Sequence, residues 1–290
     1  MKLSLLNIPL RKHWKPLLLG GLLLLSFLLK LNHLGHQRLR GVDECCHALV
    51  AKNLLKHPLK PTLIETPYLL YAETAWGENH VWLHKPILPL WQIALSYLFL
   101  GINTFALRFP SAILSTLAAG FTYLIGKHLL SDRAACIAAA TQAFSWFIMQ
   151  LTHGYMFSDA IDISLLFYCE LGIYGLVRLL QTGKWRFVLL TGCGQGLAFL
   201  SKTYPGFIIT GLTLVAWTLP ALGLVKRENY HLQWKHVLGI LLTTLCVATP
   251  WMLYTAIQYP IEFKIEHNYI FKHLTENVEN WGAPWYKTLH

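Results

Sequence analysis

Seven long apolar runs, separated by short polar connections, constrain this chain more than any other feature. They fall at Pro16–Leu31, Phe105–Gly126, Ala134–Leu151, Ala160–Leu180, Phe187–Leu200, Tyr204–Val225 and His236–Gln258. A helix needs roughly 20 apolar residues to cross a bilayer. Only 13% of the 290 residues are charged and 54% are hydrophobic, where a soluble domain carries about 25% charged. These numbers predict an all-α polytopic membrane bundle of about seven spans.

One further run, "PILPLWQIALSYLFLG" at Pro86–Gly101, is short and opens with two prolines. Charge placement decides how to read it. If it lies in the interface, every basic cluster between spans falls on one side. These are Lys2, Arg11, Lys12 and Lys15; Lys127 and Arg133; Arg178, Lys184 and Arg186; and Lys226, Arg227 and Lys235. That side holds 12 basic residues against two acids, Asp132 and Glu228, and the rest of the chain balances at 12 and 12. Excess Lys and Arg mark cytoplasmic loops, so the N-terminus is expected inside and the C-terminus outside. The net charge of +10 then belongs to one membrane face and not to a nucleic-acid surface. The N-terminal basic residues and the apolar run after them read as a retained signal-anchor, since no small-residue cleavage site follows.

The six cysteines form no disulfide framework. Four lie within apolar runs, and Cys45 and Cys46 are neighbours, which rarely bridge. "CCH" at Cys45–His47 reads either as a metal site or as small buried thiols, and its spacing matches no common zinc pattern.

The expected outer face carries the candidate chemistry. The loop from Asn32 to Lys85 is long, and loops of that length are functional or disordered. It contains Asp43 and Glu44 followed by "HALVAKNLLKH", which reads as an amphipathic helix on the membrane surface. Asp43 and Glu44 act either as helix-start acids or in a site. Asp159 starts the fourth span, with Asp162 and Glu170 on the same helical face. Ionisable residues in spans face cavities or partners, so Asp162 and Glu170 are expected to pair across helices. Lys85 and Lys202 sit at the same level and either snorkel or hold a phosphate as point charges. Arg108 either neutralises a lipid phosphate or pairs with an acid. In the tail, Glu266, His267, Trp285 and Tyr286 either line a substrate entrance or anchor at the interface.

The segments "DECCHALVAKNLLKH", "HKPILPLW", "RFPSAIL", "SDAIDISLLFYCELGIYGL", "GLAFLSKTYPG" and "IEHNYIF…GAPWY", in this order, resemble the GT-C-fold glycosyltransferases that use lipid-linked sugars. The likeness is nearest to the bacterial 4-amino-4-deoxy-L-arabinose transferases and the related protein mannosyltransferases, and it runs from about Asp43 to the C-terminus. It implies transfer of a sugar from a polyprenyl-phosphate donor to a lipid, glycan or protein acceptor, on the outer face of a bacterial inner membrane. It matches Asp43 and Asp159 to catalytic acids, Lys85 and Lys202 to the donor phosphate, and Glu266 and His267 to the acceptor side; Glu44 is expected with the acids and Arg108 with the phosphate-binding residues. His47 stands where the family has a tyrosine. No ligand set for a metal is legible, although carboxylates and water suit a divalent ion such as magnesium or manganese. The expected organisation is a transmembrane core over 1–258, including an outer loop over 32–103, and an outer tail over 259–290 that looks truncated. A separate C-terminal half is an expected partner. The rival expectation is a non-catalytic or truncated lipid-binding subunit, or a transporter.

Overall fold

The protein is described by a computed structural model, which covers residues 14–36, 38–66, 79–156, 159–220, 222–223 and 230–275. Trp285 and Tyr286 lie outside them. Among the described residues there are eleven α-helices, and the β pairing consists of an isolated bridge between Thr62 and Val81. The helices are α1 (Trp14–Leu31), α2 (Gly41–Leu54), α3 (Ile87–Leu100), α4 (Thr104–Leu129), α5 (Asp132–Ala143), α6 (Trp146–Thr152), α7 (Asp159–Thr182), α8 (Trp185–Lys202), α9 (Ile208–Thr218), α10 (Trp234–Gln258) and α11 (Pro260–Thr275).

Among the described residues each of the seven apolar runs contains helix, with Ala134–Leu151 divided between α5 and α6 and α9 covering only part of Tyr204–Val225. Three helices, at Thr104–Leu129, Ala160–Thr182 and Trp234–Gln258, are long and apolar enough to cross a membrane. A fourth span forms if α5 and α6, bent by 45° at a short break, count as one. Helix α8 falls outside that set for a physical reason. Its buried face is Thr191, Gly192, Gly194, Gln195 and Gly196, which packs against protein on both sides. The Gln195 amide donates to Thr244 of α10 at 3.1 Å and accepts from Thr210 of α9 at 2.7 Å. Missing side chains let backbones close up, as small residues do in membrane helix pairs. A Cβ on Gly192 would sit 2.5 Å from the Thr243 Cβ, and one on Gly196 would sit 2.7 Å from the Val247 Cβ.

Local signals set the helix ends. The Asn103 side chain caps α4 by accepting from Ala106 N–H at 2.9 Å, and Ser131 caps α5. Lys127 and His128 in the last turn of α4 suit the negative end of its dipole. Pro110 lies inside α4 and has no N–H for the Ala106 carbonyl four residues earlier. The Ser96 hydroxyl takes that carbonyl at 2.6 Å, so a helix defect becomes the joint between α3 and α4.

That joint also fixes how α3 lies. Fourteen residues reach about 21 Å at 1.5 Å each, short of a 30 Å hydrocarbon core. Lys85, just ahead of α3, contacts Asp43 of α2, and Ser96, near its end, reaches the first turns of α4, where Arg108 binds Glu44 of α2. Both ends of α3 therefore return to one end of the bundle. A core of Val50, Leu54, Trp82, Leu90, Ile93 and Leu107 packs α2, the 79–86 segment, α3 and α4 together. At the opposite end, Leu179, Phe187, Val188, Leu232 and Ile240 form a second core joining α7, α8 and α10.

Candidate active site

The site is built on α2. Asp43 and Glu44 occupy its first turn, where a carboxylate is favoured by the helix dipole, but consecutive residues leave a helix about 100° apart and so face different surroundings.

Glu44 points inward. Its Oε1 accepts from Arg108 Nε at 2.7 Å and its Oε2 accepts from Arg108 Nη2 at 3.0 Å, with both side chains no more than 3% exposed. The guanidinium also donates to the Leu34 carbonyl at 3.1 Å and the Arg38 carbonyl at 3.3 Å. The Arg40 N–H donates to Glu44 Oε2. Gly154, at φ +69°, closes the other side: a Cβ there would lie 2.3 Å from Glu44 Oε1 and 3.0 Å from Arg108 Nε. This bidentate clamp ties the α1–α2 connection and α2 to α4, against the turn after α6. It bears on two of the expected site residues. Arg108 pairs with an acid, and four of its five N–H donors are engaged. Glu44 is the buried partner of that guanidinium.

Asp43 faces the cleft. Its Oδ2 lies 3.5 Å from Lys85 Nζ, with the side chains 16% and 21% exposed respectively. Cys46, one turn on, feels the same pair: burial raises its thiol to about 11, the Asp43 charge adds to the rise and Lys85 opposes it. Cys45 is raised by burial and then by Glu44. A thiolate is the metal ligand, so both neighbours are held away from that form. Among the described residues no group of three or more His, Cys, Asp or Glu is placed to share a metal ion. His47 is buried, with its ring 5.8 Å from Trp82 in an edge-on contact.

Lys85 also lines a pocket with Thr203 at the end of α8, Trp251 of α10, and Phe263 and His267 of α11. Helix α11 thus folds over the Lys85 region. His84 fixes it there, with Nδ1 at 3.2 Å from Glu266 Oε2 and both side chains nearly inaccessible. The His84 ring also meets Tyr269 of α11 at 5.6 Å. His267 stacks on Phe263, and its Nδ1 donates to the Phe263 carbonyl at 2.8 Å. A carbonyl only accepts, so Nε2 carries the ring's lone pair in the neutral form.

Lys202 ends α8 and donates to Asp162 of α7. Thr203, at φ +53°, breaks the helix and brings this pair beside the Lys85 pocket. Asp159 opens α7 one turn before Asp162; its side chain lies outside the described residues. Glu170, two turns deeper than Asp162, accepts from Gln142 of α5 at 2.6 Å and from Thr122 of α4 at 3.1 Å, a cross-helix pairing within the bundle.

The structure therefore places Lys85 and His267 on one pocket, with Asp43 against Lys85, Glu266 buried behind His84 and Lys202 next in sequence to the lining residue Thr203, and it pairs Glu44 with Arg108 apart from them. Sequence reasoning missed His84. Its only signal was its place before Lys85 in "HKPILPLW", with its partner 182 residues away.

A helical membrane bundle with an ion-paired loop region at one end is the GT-C architecture. Against ArnT from Cupriavidus metallidurans in the apo state, the fold aligns with a TM-score of 0.63 at 16% identity, over 85% of this chain and 42% of that one. The same protein bound to undecaprenyl phosphate gives 0.54 at 18% identity, with the same coverage. The Archaeoglobus fulgidus oligosaccharyltransferase in the apo form gives 0.59 at 18%, over 93% and 34%.

Residues 84–254 match the family model of dolichyl-phosphate-mannose-protein mannosyltransferases, and the chain belongs to that family. It is 26% identical over 288 residues to the undecaprenyl phosphate-alpha-4-amino-4-deoxy-L-arabinose arabinosyl transferase 2 of Pseudomonas fluorescens (strain Pf0-1), which covers 95% of this chain and 47% of that protein. The chain spans about half the length of the curated relatives it matches.

Proposed function

We propose that this chain carries the donor site of a membrane glycosyltransferase. The enzyme moves a sugar from a polyprenyl phosphate to a lipid, glycan or protein acceptor on the outer face of a bacterial inner membrane. The observation that supports this reading most directly is the Asp43–Lys85 contact at 3.5 Å, which sets an acid of the first turn of α2 against a lysine that lines the pocket covered by α11. Family membership and a relative whose name specifies undecaprenyl phosphate add to it.

The chemistry is an inverting displacement. The acceptor oxygen bonds to the anomeric carbon, the bond from that carbon to the phosphate oxygen breaks, and polyprenyl phosphate departs. If the acceptor is a hydroxyl, its proton passes to a carboxylate, Asp43 or Asp159. If the acceptor is itself a phosphate, no strong base is needed and the acids orient the reactants. Lys85 stabilises the charge on the leaving phosphate, with Lys202 beside it once Asp162 yields; such stabilisation is commonly the largest single contribution to rate. Glu266, through His84, holds α11 so that His267 flanks the acceptor approach. Glu44 and Arg108 position α2. No step is routed through a metal. In this reading the end bearing the basic clusters faces the cytoplasm, as excess Lys and Arg favour.

The test is release of free polyprenyl phosphate from a polyprenyl-phosphate sugar by the full-length protein in proteoliposomes. Asp43→Asn and Lys202→Ala should each abolish transfer, by roughly 100- to 1,000-fold, with membrane insertion intact. Wild-type turnover in both variants would end the assignment. Donor binding without release would favour the rival, a non-catalytic lipid-binding subunit.

A further inference from the structure

A second polar cleft lies at the far end of α2. Ten residues separate Asp43 from Asn53, about 15 Å along the helix axis, so this cleft is distinct from the Lys85 mouth. It has a volume of about 310 Å³, and its walls include Asn53, Lys56, His57, Lys60, Glu65 and His80.

Its frame is rigid. Asn53 is buried, and its amide donates to the Thr62 carbonyl at 2.8 Å. Leu63 N–H donates to the His80 carbonyl at 2.9 Å, and Trp82 N–H donates to the Pro61 carbonyl at 2.8 Å. His80 Nδ1 donates to the Ile64 carbonyl, and the Trp91 indole donates to the Pro58 carbonyl at 2.8 Å. Two short segments, 57–65 and 79–82, are thereby stitched to each other and to α2 and α3. The ion pair above this frame is exposed by contrast. Lys56 meets Glu65 at 3.0 Å, with the side chains 64% and 67% exposed. The Lys56 hydrogen bond and charge, with Lys52 and His57 behind them, hold the Glu65 carboxyl below its ordinary value. Three lysines and two histidines thus gather around one carboxylate, on a face the proposed reaction does not use. An exposed pair such as Lys56–Glu65 contributes little and opens readily. An incoming dianion competes with the single Glu65 charge for the same lysines.

We propose that this cleft is a binding site for a phosphate group, held by Lys56 and Lys60 with Glu65 as the internal competitor that the ligand displaces. The phosphate comes either from a lipid headgroup or from a free phosphate, and the site is independent of the sugar transfer proposed above.

The experiment is calorimetric titration of the full-length protein in neutral-detergent micelles. The probes are inorganic phosphate and, separately, a short-chain phosphatidate. Lys56→Ala combined with Lys60→Ala should weaken binding by about tenfold or more, as expected for loss of charge-assisted hydrogen bonds. Glu65→Gln should tighten it by about threefold, because an exposed charge has been removed from the competition. Lys85→Ala should leave it unchanged. Binding of both probes assigns the site to the phosphate group itself, and binding of phosphatidate alone assigns it to a lipid headgroup. The proposal is overturned if neither probe binds, if the double variant binds as wild type does, or if Lys85→Ala removes the binding. Glu65→Gln keeps the test decisive should the double variant fold poorly.

Discussion

The two ends of this bundle are both charged, and they hold their charges in opposite ways. At the end formed by the C-termini of α4 and α7 and the N-termini of α8 and α10, cations lean on rings and neutral groups. Arg178 and Arg186 lie 5.4 and 4.7 Å from the Phe187 ring centre, and Lys127 lies 5.9 Å from that of Tyr123. Arg178 also meets Gln181 and His128. At the other end, basic side chains meet acids drawn from remote parts of the chain. Arg108 binds Glu44, Lys202 binds Asp162 and His84 binds Glu266, over separations of 64, 40 and 182 residues. The difference separates two uses of charge. Cations left net positive address a membrane surface and set orientation. Cations spent on distant acids staple loops to helices and shape a cleft. The phosphate-handling site proposed above lies at the second end, where Lys85 and Lys202 each meet a carboxylate.

The comparison predicts its largest stability effect at the clamp. Arg108→Ala leaves the Glu44 carboxylate buried without its counter-ion, and breaking a buried pair in this way costs about 3–5 kcal/mol. The thermal unfolding midpoint in detergent should fall markedly, and residues 41–66 should become protease-sensitive. Replacing both partners with apolar residues, Arg108→Met with Glu44→Leu, should recover most of the loss, since no charge is then stranded. Unfolding of Arg108→Ala at the wild-type temperature would remove the distinction between the two ends.

A smaller effect is expected midway between the ends, where neither kind of charge acts. Gly192→Val places side-chain carbon where Thr243 Cβ and the Ile240 carbonyl already stand, 2.5 and 2.8 Å from a Cβ. Helix α10 must then move away from α8. Overpacking of this sort costs about 1–3 kcal/mol. Gly211 has open space around its Cβ position, so Gly211→Ala should show no such loss and serves as the control.

Much of this organisation was legible in the sequence. Apolar runs gave the helices, because hydrophobic length is what a bilayer selects. The first eight residues of "HALVAKNLLKH" lie in α2, and Asp43 and Lys85, expected at one level, lie 3.5 Å apart. What escaped depends on partners rather than periods. Arg108 offered two readings of equal weight, and only the position of Glu44, 64 residues earlier, selects between them. The polar tail concealed α11 because its 16 residues lie on the bundle with a mixed surface, held by Glu266 on a histidine far upstream. The glycine- and glutamine-lined face of α8 diluted a span whose polar atoms are satisfied by its neighbours.

The smallest effect is predicted at the basic end, and there the contrast is sharpest. Arg186 is exposed and rests on the Phe187 ring; a cation–π contact at an exposed site is worth about 0.5–1 kcal/mol. Arg186→Gln with Lys184→Gln should therefore lower stability by less than about 1 kcal/mol. Each basic residue near an anionic leaflet adds about 1 kcal/mol of surface attraction, so losing two of twelve leaves the orientation bias in place. A reporter fused after Lys202 should stay on the side it occupies in the wild type. If the double variant instead unfolded as readily as Arg108→Ala, the basic end would also be holding the fold together through its charges, and the division of labour between the two ends would fail.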